Sequence, residues 1–473
     1  MKKILIIVAG LIISLGLKAK IRLPDILSNY AVLQQNTNVR LWGEASINTS
    51  ITISPSWSKI SFTTKSDNNG KWSILIPTPK ASFDPQSIII NDGDTATLSN
   101  ILIGEVWFCS GQSNMEHPLR GWAKWPVKDG QREILHSAEY RNSIRFLKVQ
   151  HKGAKTRQEY AYGKWEESIP ENAKDFSAVA YSYAKHLTRI LKVPIGIINC
   201  SWGGTYLEAW MPKKLLINYQ DINLSEKALN SKRINKCPLL IFNAMVNPLE
   251  KYTIKGFLFY QGESNQDRNF NYDKRLADMV KIWREEWNLG ELPFYFVQIA
   301  PFMYQDKDGI TAAILREDQF NALKLIPNSG IVCTYDLVQQ DDLHNVHIPN
   351  KEPIGFRLAL LSLSRTYGIN GFADSAPYYK DYKIEKNKII ISFENSKGFN
   401  RNMDIKGFEI AGEDKYFYPA IVQIKNKKQI QVFSYQVANP VAVRYCFKNF
   451  QLGNFKSLYN LPIPPFRTDN WDK

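Results

Sequence analysis

The sequence predicts an α/β chain: a three-layer domain built on a parallel sheet, with β-sandwich-type regions at both ends. Three observations carry that prediction. Residues 20 to about 100 hold short alternating segments broken by turn residues. From Gly104, apolar strand-like runs alternate with stretches of helical period. After about residue 375 the β texture returns. Apolar strands alternating with helices imply a parallel sheet wrapped on both faces.

The elements follow in order. Residues 1–19 read as a signal peptide: Lys2 and Lys3 lead an apolar run from Ile4 to Leu17, and Ala19 precedes the expected cut. That run is shorter than the ~20 residues a membrane-spanning helix needs. An N-terminal β-domain over 20–100 is expected from Val39–Trp42, Ile51–Ile53, Ile60–Thr63, Trp72–Ile76 and Ile88–Ile90, punctuated by the turns Asp67–Gly70 and Asn91–Gly93. The α/β domain, 101–375, takes its strands from Val106–Cys109, Ile195–Cys200, Phe257–Tyr260, Phe294–Ile299 and Gly330–Tyr335. Its helices come from Ser177–Lys192, Tyr272–Trp287 and Leu315–Leu325. A C-terminal β-region, 376–473, follows with Lys388–Phe393, Ile430–Ser434 and Val441–Phe447. No internal repeat or low-complexity linker interrupts this order.

Composition excludes several functions. The net charge of +15 is scattered along the chain, without a basic block interleaved with aromatics, which disfavours nucleic-acid binding. A positive field still suits an acidic ligand. The five cysteines form no CxxC pair, so a zinc ribbon is ruled out, and four of them sit in apolar runs typical of buried thiols.

Chemistry is expected where polar residues follow strand ends, because ligands of open α/β sheets bind there. After the first strand comes Gly111-Gln112-Ser113-Asn114-Met115, in which a tight turn exposes a hydroxyl and aims backbone amides at one point. The same residues also suit a helix N-cap. After the second, Gly203 and Gly204 offer unscreened amides for an oxyanion, ahead of Glu208-Ala209-Trp210. The third ends in Gln261-Gly262-Glu263-Ser264-Asn265, where Asn265 offers a side-chain amide and Glu263 a carboxylate to orient a histidine. The fifth leads into Asp341, Asp342, His344 and His347, two of the chain's six histidines beside carboxylates. A metal site, a structural histidine and a general base all compete there; a loop carrying Pro349, with no second ligand cluster elsewhere, disfavours metal. A glycosidase pair, Glu105 with Glu263, is a further reading, and requires the two carboxyls to lie within ~5–9.5 Å.

Taken together, GQSNM, GGT with EAW, YQGESN and the terminal histidine loop resemble the sialate O-acetylesterase family of the SGNH-hydrolase superfamily. Further segments are similar to that family: Ile21-Arg22-Leu23-Pro24, Leu315-Arg316-Glu317, Gly407-Phe408-Glu409-Ile410 and Pro465-Phe466-Arg467. The resemblance implies an SGNH-hydrolase-like catalytic domain and removal of O-acetyl groups from sugars through an acetyl-serine, with no metal or organic cofactor. It implies Ser113 as nucleophile, an oxyanion hole from the Ser113 amide, Gly203 or Gly204, and Asn265, and His347 as base. Asn345 and Ile348 depart from the family's Asp-x-His-Pro, and Asp341-x-x-His344 is an alternative match. Lys351 and the helix beginning at Ile354 favour His347. The orienting acid stays open among Glu263, Asp341 and Asp342. Gln112, Trp202, Gln261 and Arg316 are the candidates to hold the sugar, Arg316 through a bidentate grip on a carboxylate. Trp122 and Trp125 are further stacking candidates. An acetylxylan esterase or a non-catalytic sugar-binding protein are the rival readings. The expected setting is the periplasm or outside the cell, without membrane insertion after cleavage.

Overall fold

The computed structural model describes residues 20–471 except 269, 308, 402 and 403. The expected signal peptide therefore lies outside the described residues. Among the described residues no helix is long and apolar enough to cross a membrane.

The central sheet is built from β1 (Thr95–Gly111), β2 (Ile144–Lys148), β3 (Ile195–Ser201), β4 (Gly256–Tyr260), β5 (Phe294–Val297) and β6 (Ser329–Val332). Their spatial order is β6-β5-β4-β1-β3-β2, all parallel, with Trp165–Glu167 as an antiparallel edge beyond β2. The chain runs outward from β1 to β2, returns to β3, and then crosses to β4 on the other side. β1 is thus the switch point, where the turns after neighbouring strands part to leave a crevice.

Side chains alternate across β1, so Val106 and Phe108 enter one apolar core and Trp107 and Cys109 the other. Burial on both faces explains why these strands read as unbroken apolar runs. The principal helices are α1 (Ser113–Glu116), α2 (Ala178–Leu191), α3 (Tyr272–Trp287), α4 (Thr311–Asn321) and α5 (Glu352–Leu361). α2 starts where Ser177 accepts from the Ala180 amide, a conventional N-cap. It packs with α5 through Ala178, Val179 and Leu358 on one face. Trp283 and Trp287 of α3 close the other face against Phe257.

The flanking regions are β-structured. The expected boundary between residues 100 and 101 falls inside β1. Its first half pairs with Ser82–Asn91 of the N-terminal sheet and its second half forms the middle of the central sheet. The reason is the 17-residue length of the strand, which leaves no linker between the two regions. At the C-terminus, two four-stranded sheets enclose a core including Ile389, Ile391, Phe408, Ile410 and Val443. The five cysteines are free and buried.

Candidate active site

The turn that carries Ser113 is set by the last residue of β1. Gly111 has φ +133°, and a Cβ there would lie 2.0 Å from the Tyr260 carbonyl oxygen, so only glycine lets β1 and β4 end together. Gln112 then adopts extended geometry at the cap position, which puts Ser113 on the first residue of α1 rather than at the cap. Ser113 is half-buried, and its hydroxyl makes no hydrogen bond among the described residues. The adjacent loop lies against it: a Cβ on Gly203 would come 3.3 Å from the Ser113 Cβ.

Asn114 ties three loops to this turn. Its Nδ2 donates to Glu263 Oε1 at 2.5 Å and to the Val346 carbonyl at 3.0 Å. Its Oδ1 accepts from Lys351 Nζ. The histidine loop and the β4 turn are therefore fastened to the residue after the serine. Lys351 and Glu263 are both buried, and burial shifts each toward neutrality. Lys351 falls to about 7 and Glu263 is raised, with each opposing the shift of the other.

A second polar network is centred on Asn265. Asn265 Oδ1 accepts from the Leu207 amide at 3.0 Å and from Gln261 Nε2 at 2.8 Å, while its Nδ2 donates to Glu208 Oε2 at 3.2 Å. This orientation leaves one N–H of that amide unspent. Glu208 is in turn gripped by Arg275, which also pairs with Asp221. Of the two glycine amides, Gly203 donates to Glu116 Oε2 at 2.7 Å, which leaves Gly204 (φ +71°) as the one with no acceptor among the described residues. Glu116 also meets His151 Nε2 at 3.0 Å, and the His151 ring lies flat on Trp202 at 4.4 Å.

His347 is held differently. It is 6% exposed, and its ring packs edge-on against Trp125 at 4.5 Å and Trp122 at 5.1 Å. Neither ring nitrogen has a hydrogen-bond partner among the described residues. Burial, reinforced by the nearby Lys351 charge, lowers its pKa to about 4, against an opposing pull from Glu116. The ring is therefore neutral at ordinary pH and can accept a proton. His344 is exposed.

Comparison with known proteins identifies the architecture. The model of the family described as "Carbohydrate esterase, sialic acid-specific acetylesterase" matches residues 103–363. The crystal structure of a carbohydrate acetylesterase from Xanthomonas citri superposes with a TM-score of 0.85 at 32% identity, covering 95% of this chain and all of that one. The chain belongs to this carbohydrate esterase family. Sialate O-acetylesterase from Mus musculus is 24% identical over 98% of this chain and 96% of its own length. The Homo sapiens relative is 26% identical over 79% of this chain and 76% of its own length.

Within this family architecture the candidates sort clearly. Ser113, Gly204, Asn265 and the His347 loop converge at one end of the sheet. Trp202 is half-buried beside His151. Trp122 and Trp125 spend ring faces on His347. Four expectations need correction. Glu263 Oε1 accepts from Asn114 and Asp342 from the Gln339 amide, and neither carboxylate is hydrogen-bonded to His347, whose ring nitrogens have no partner among the described residues. Asp341 is exposed. Gln112 and Gln261 are 3% and 1% exposed and serve as struts: Gln112 Oε1 accepts from Gly262 N, Ser264 N and Gln261 Nε2. Arg316 is 1% exposed and lies in the interior, where its Nη2 donates to the Lys448 carbonyl. The glycosidase pairing fails by distance. Glu105 sits six residues before Gly111 on β1, about 20 Å along the strand, while Glu263 lies beyond the opposite end.

Sequence reasoning missed Glu116, His151, Lys351 as a buried group, and the Glu208–Arg275–Asp221 chain. Only Glu116 carried a signal, since it stands three residues after Ser113 and a single helical turn puts such pairs on one face.

Proposed function

We propose that this carbohydrate esterase removes O-acetyl groups from sialic acids or closely related sugars, with Ser113 as nucleophile and His347 as base. The observation that carries the reading is the tether: Asn114, next to Ser113, holds the Val346 carbonyl, next to His347. In the reaction, the Ser113 hydroxyl attacks the acetyl carbonyl while neutral His347 takes its proton. The Ser113 and Gly204 amides and the free N–H of Asn265 receive the oxyanion. His347 then protonates the departing sugar hydroxyl, and water, activated by the same ring, releases acetate. The base works without a hydrogen-bonded acid; Glu116 is the carboxylate whose charge favours the imidazolium.

That the mouse and human relatives are sialate O-acetylesterases supports the sialate substrate, as does a net charge of +15. Trp202 and His151 are the surface offered to the sugar. The charged start and apolar run of residues 1–19 support export with cleavage after Ala19. Acetate release from O-acetylated sialic acid and from acetylated xylan, measured side by side, tests the substrate. The reading expects at least a ten-fold preference in kcat/KM for the sialic acid; a preference for xylan overturns it.

A further inference from the structure

Six arginines are buried: Arg145, Arg275, Arg316, Arg357, Arg444 and Arg467. Five have a carboxylate within ion-pair distance, in order Glu167, Glu208, Asp336, Asp469 and Glu317. Arg316 has none among the described residues. Its Nη2 donates to the Lys448 carbonyl, while Nε and Nη1 are buried without any partner. The ionisable groups that act on it are Tyr304 and Cys446, and burial keeps both neutral. Arg316 itself falls only to about 10 and so remains a cation at neutral pH.

An uncompensated buried charge is strongly destabilising, because the interior does not replace the water it lost. Such a group calls for a counterion or an ordered polar guest. The surroundings favour a small guest. Arg316, on α4, meets the Lys448–Asn449 turn, and that turn is laced to neighbouring segments: Phe302 N donates to the Asn449 carbonyl, Asn449 N to the Gly309 carbonyl, and Ala312 N to Asn449 Oδ1. Tyr304, whose carbonyl accepts from Asn449 Nδ2 at 3.3 Å, brings a second donor to this turn, a hydroxyl that is also buried without a partner among the described residues.

We propose that Arg316 and Tyr304 form an internal site for a small monovalent anion of the halide class, at the joint between the α/β domain and the C-terminal β-region. The anion neutralises Arg316 and accepts from Nε or Nη1 and from the phenol. Its role is to hold α4 against the Lys448–Asn449 turn.

Two measurements test this on the full chain. Crystals soaked in sodium bromide should show an anomalous peak within hydrogen-bond distance of the Arg316 guanidinium. Melting temperature measured in sodium chloride against sodium gluconate, at constant ionic strength, should rise saturably with chloride by on the order of 2 °C, and Arg316→Met should abolish the dependence. A bromide peak that R316M loses supports the site. Water, or no solvent at all, beside Arg316 in the bromide soak overturns it, as does equal chloride response in wild type and variant. If R316M does not fold, the wild-type soak decides alone.

Discussion

On the Ser113 side of the candidate site, the turns after β1, β3 and β4 are bound to one another by hydrogen-bonded side chains, with one Glu263 carboxylate oxygen left unpartnered among the described residues. Across it, His347 rests between two tryptophans with both nitrogens unspent. The proposed mechanism gives the two halves different tasks. An oxyanion hole stabilises charge only if its donors are fixed before the charge appears, and a hydrogen-bond lattice fixes them. A base must be neutral when substrate arrives, and an apolar cage achieves that by penalising the imidazolium. The contrast teaches that rigidity is placed where charge develops, and dryness where the proton must be absent.

The largest effect is expected from removing the nucleophile. Ser113→Ala should lower hydrolysis of 4-nitrophenyl acetate by roughly 10⁴-fold or more with an unchanged circular dichroism spectrum. Retained activity would take the reaction off that turn. Next, His347→Ala should cost about 10³-fold or more while exposed His344→Ala leaves the rate near wild type; the reverse order would move the base to the neighbouring residue. Within the rigid half, Asn265→Ala should lower kcat by ~10²–10³, the usual cost of one oxyanion donor. A loss expressed only in KM would instead make Asn265 a substrate contact. Smaller still is Glu116→Gln, which keeps an acceptor for the Gly203 amide but removes the charge near His347. A fall of about ten-fold, with the acid limb of the pH profile displaced downward, separates that electrostatic role from a purely structural one.

Much of this contrast was legible in the sequence, on one side. The polar half is encoded by short motifs at strand ends, so GQSN, GG and GESN announced their own positions. Fully apolar runs marked the strands because both sheet faces are covered. The strand at Ile144–Lys148, with Arg145 and Lys148 interrupting its apolar run, was not recognised. The apolar half was harder to read. The cage of His347 comes from Trp122 and Trp125, more than two hundred residues away, and no local pattern records such packing. For the same reason the sequence leaves the acid partner of the histidine open among Glu263, Asp341 and Asp342, whereas Glu263 Oε1 accepts from Asn114 and no carboxylate is hydrogen-bonded to His347 among the described residues. Arg316 reads from sequence as a candidate for a sugar carboxylate because sequence does not show that the C-terminal region folds over α4.

The pH dependence of kcat/KM tests the caged base most directly, because it reports the free enzyme's essential base. His347 is active when neutral, so the rate should hold from neutrality downward and halve only at about pH 4, not at the 6.5 of a free imidazole. Stability must be followed in parallel. The unfolded chain takes up protons below 6.5 that the folded His347 and His117, lowered to about 4 and about 3, refuse, so the fold weakens as pH falls through that window. An acid limb near 4, seen on enzyme still folded, is the predicted result. A limb at 6.5 or above would contradict the account, since it would belong to a solvated histidine or one paired with an acid.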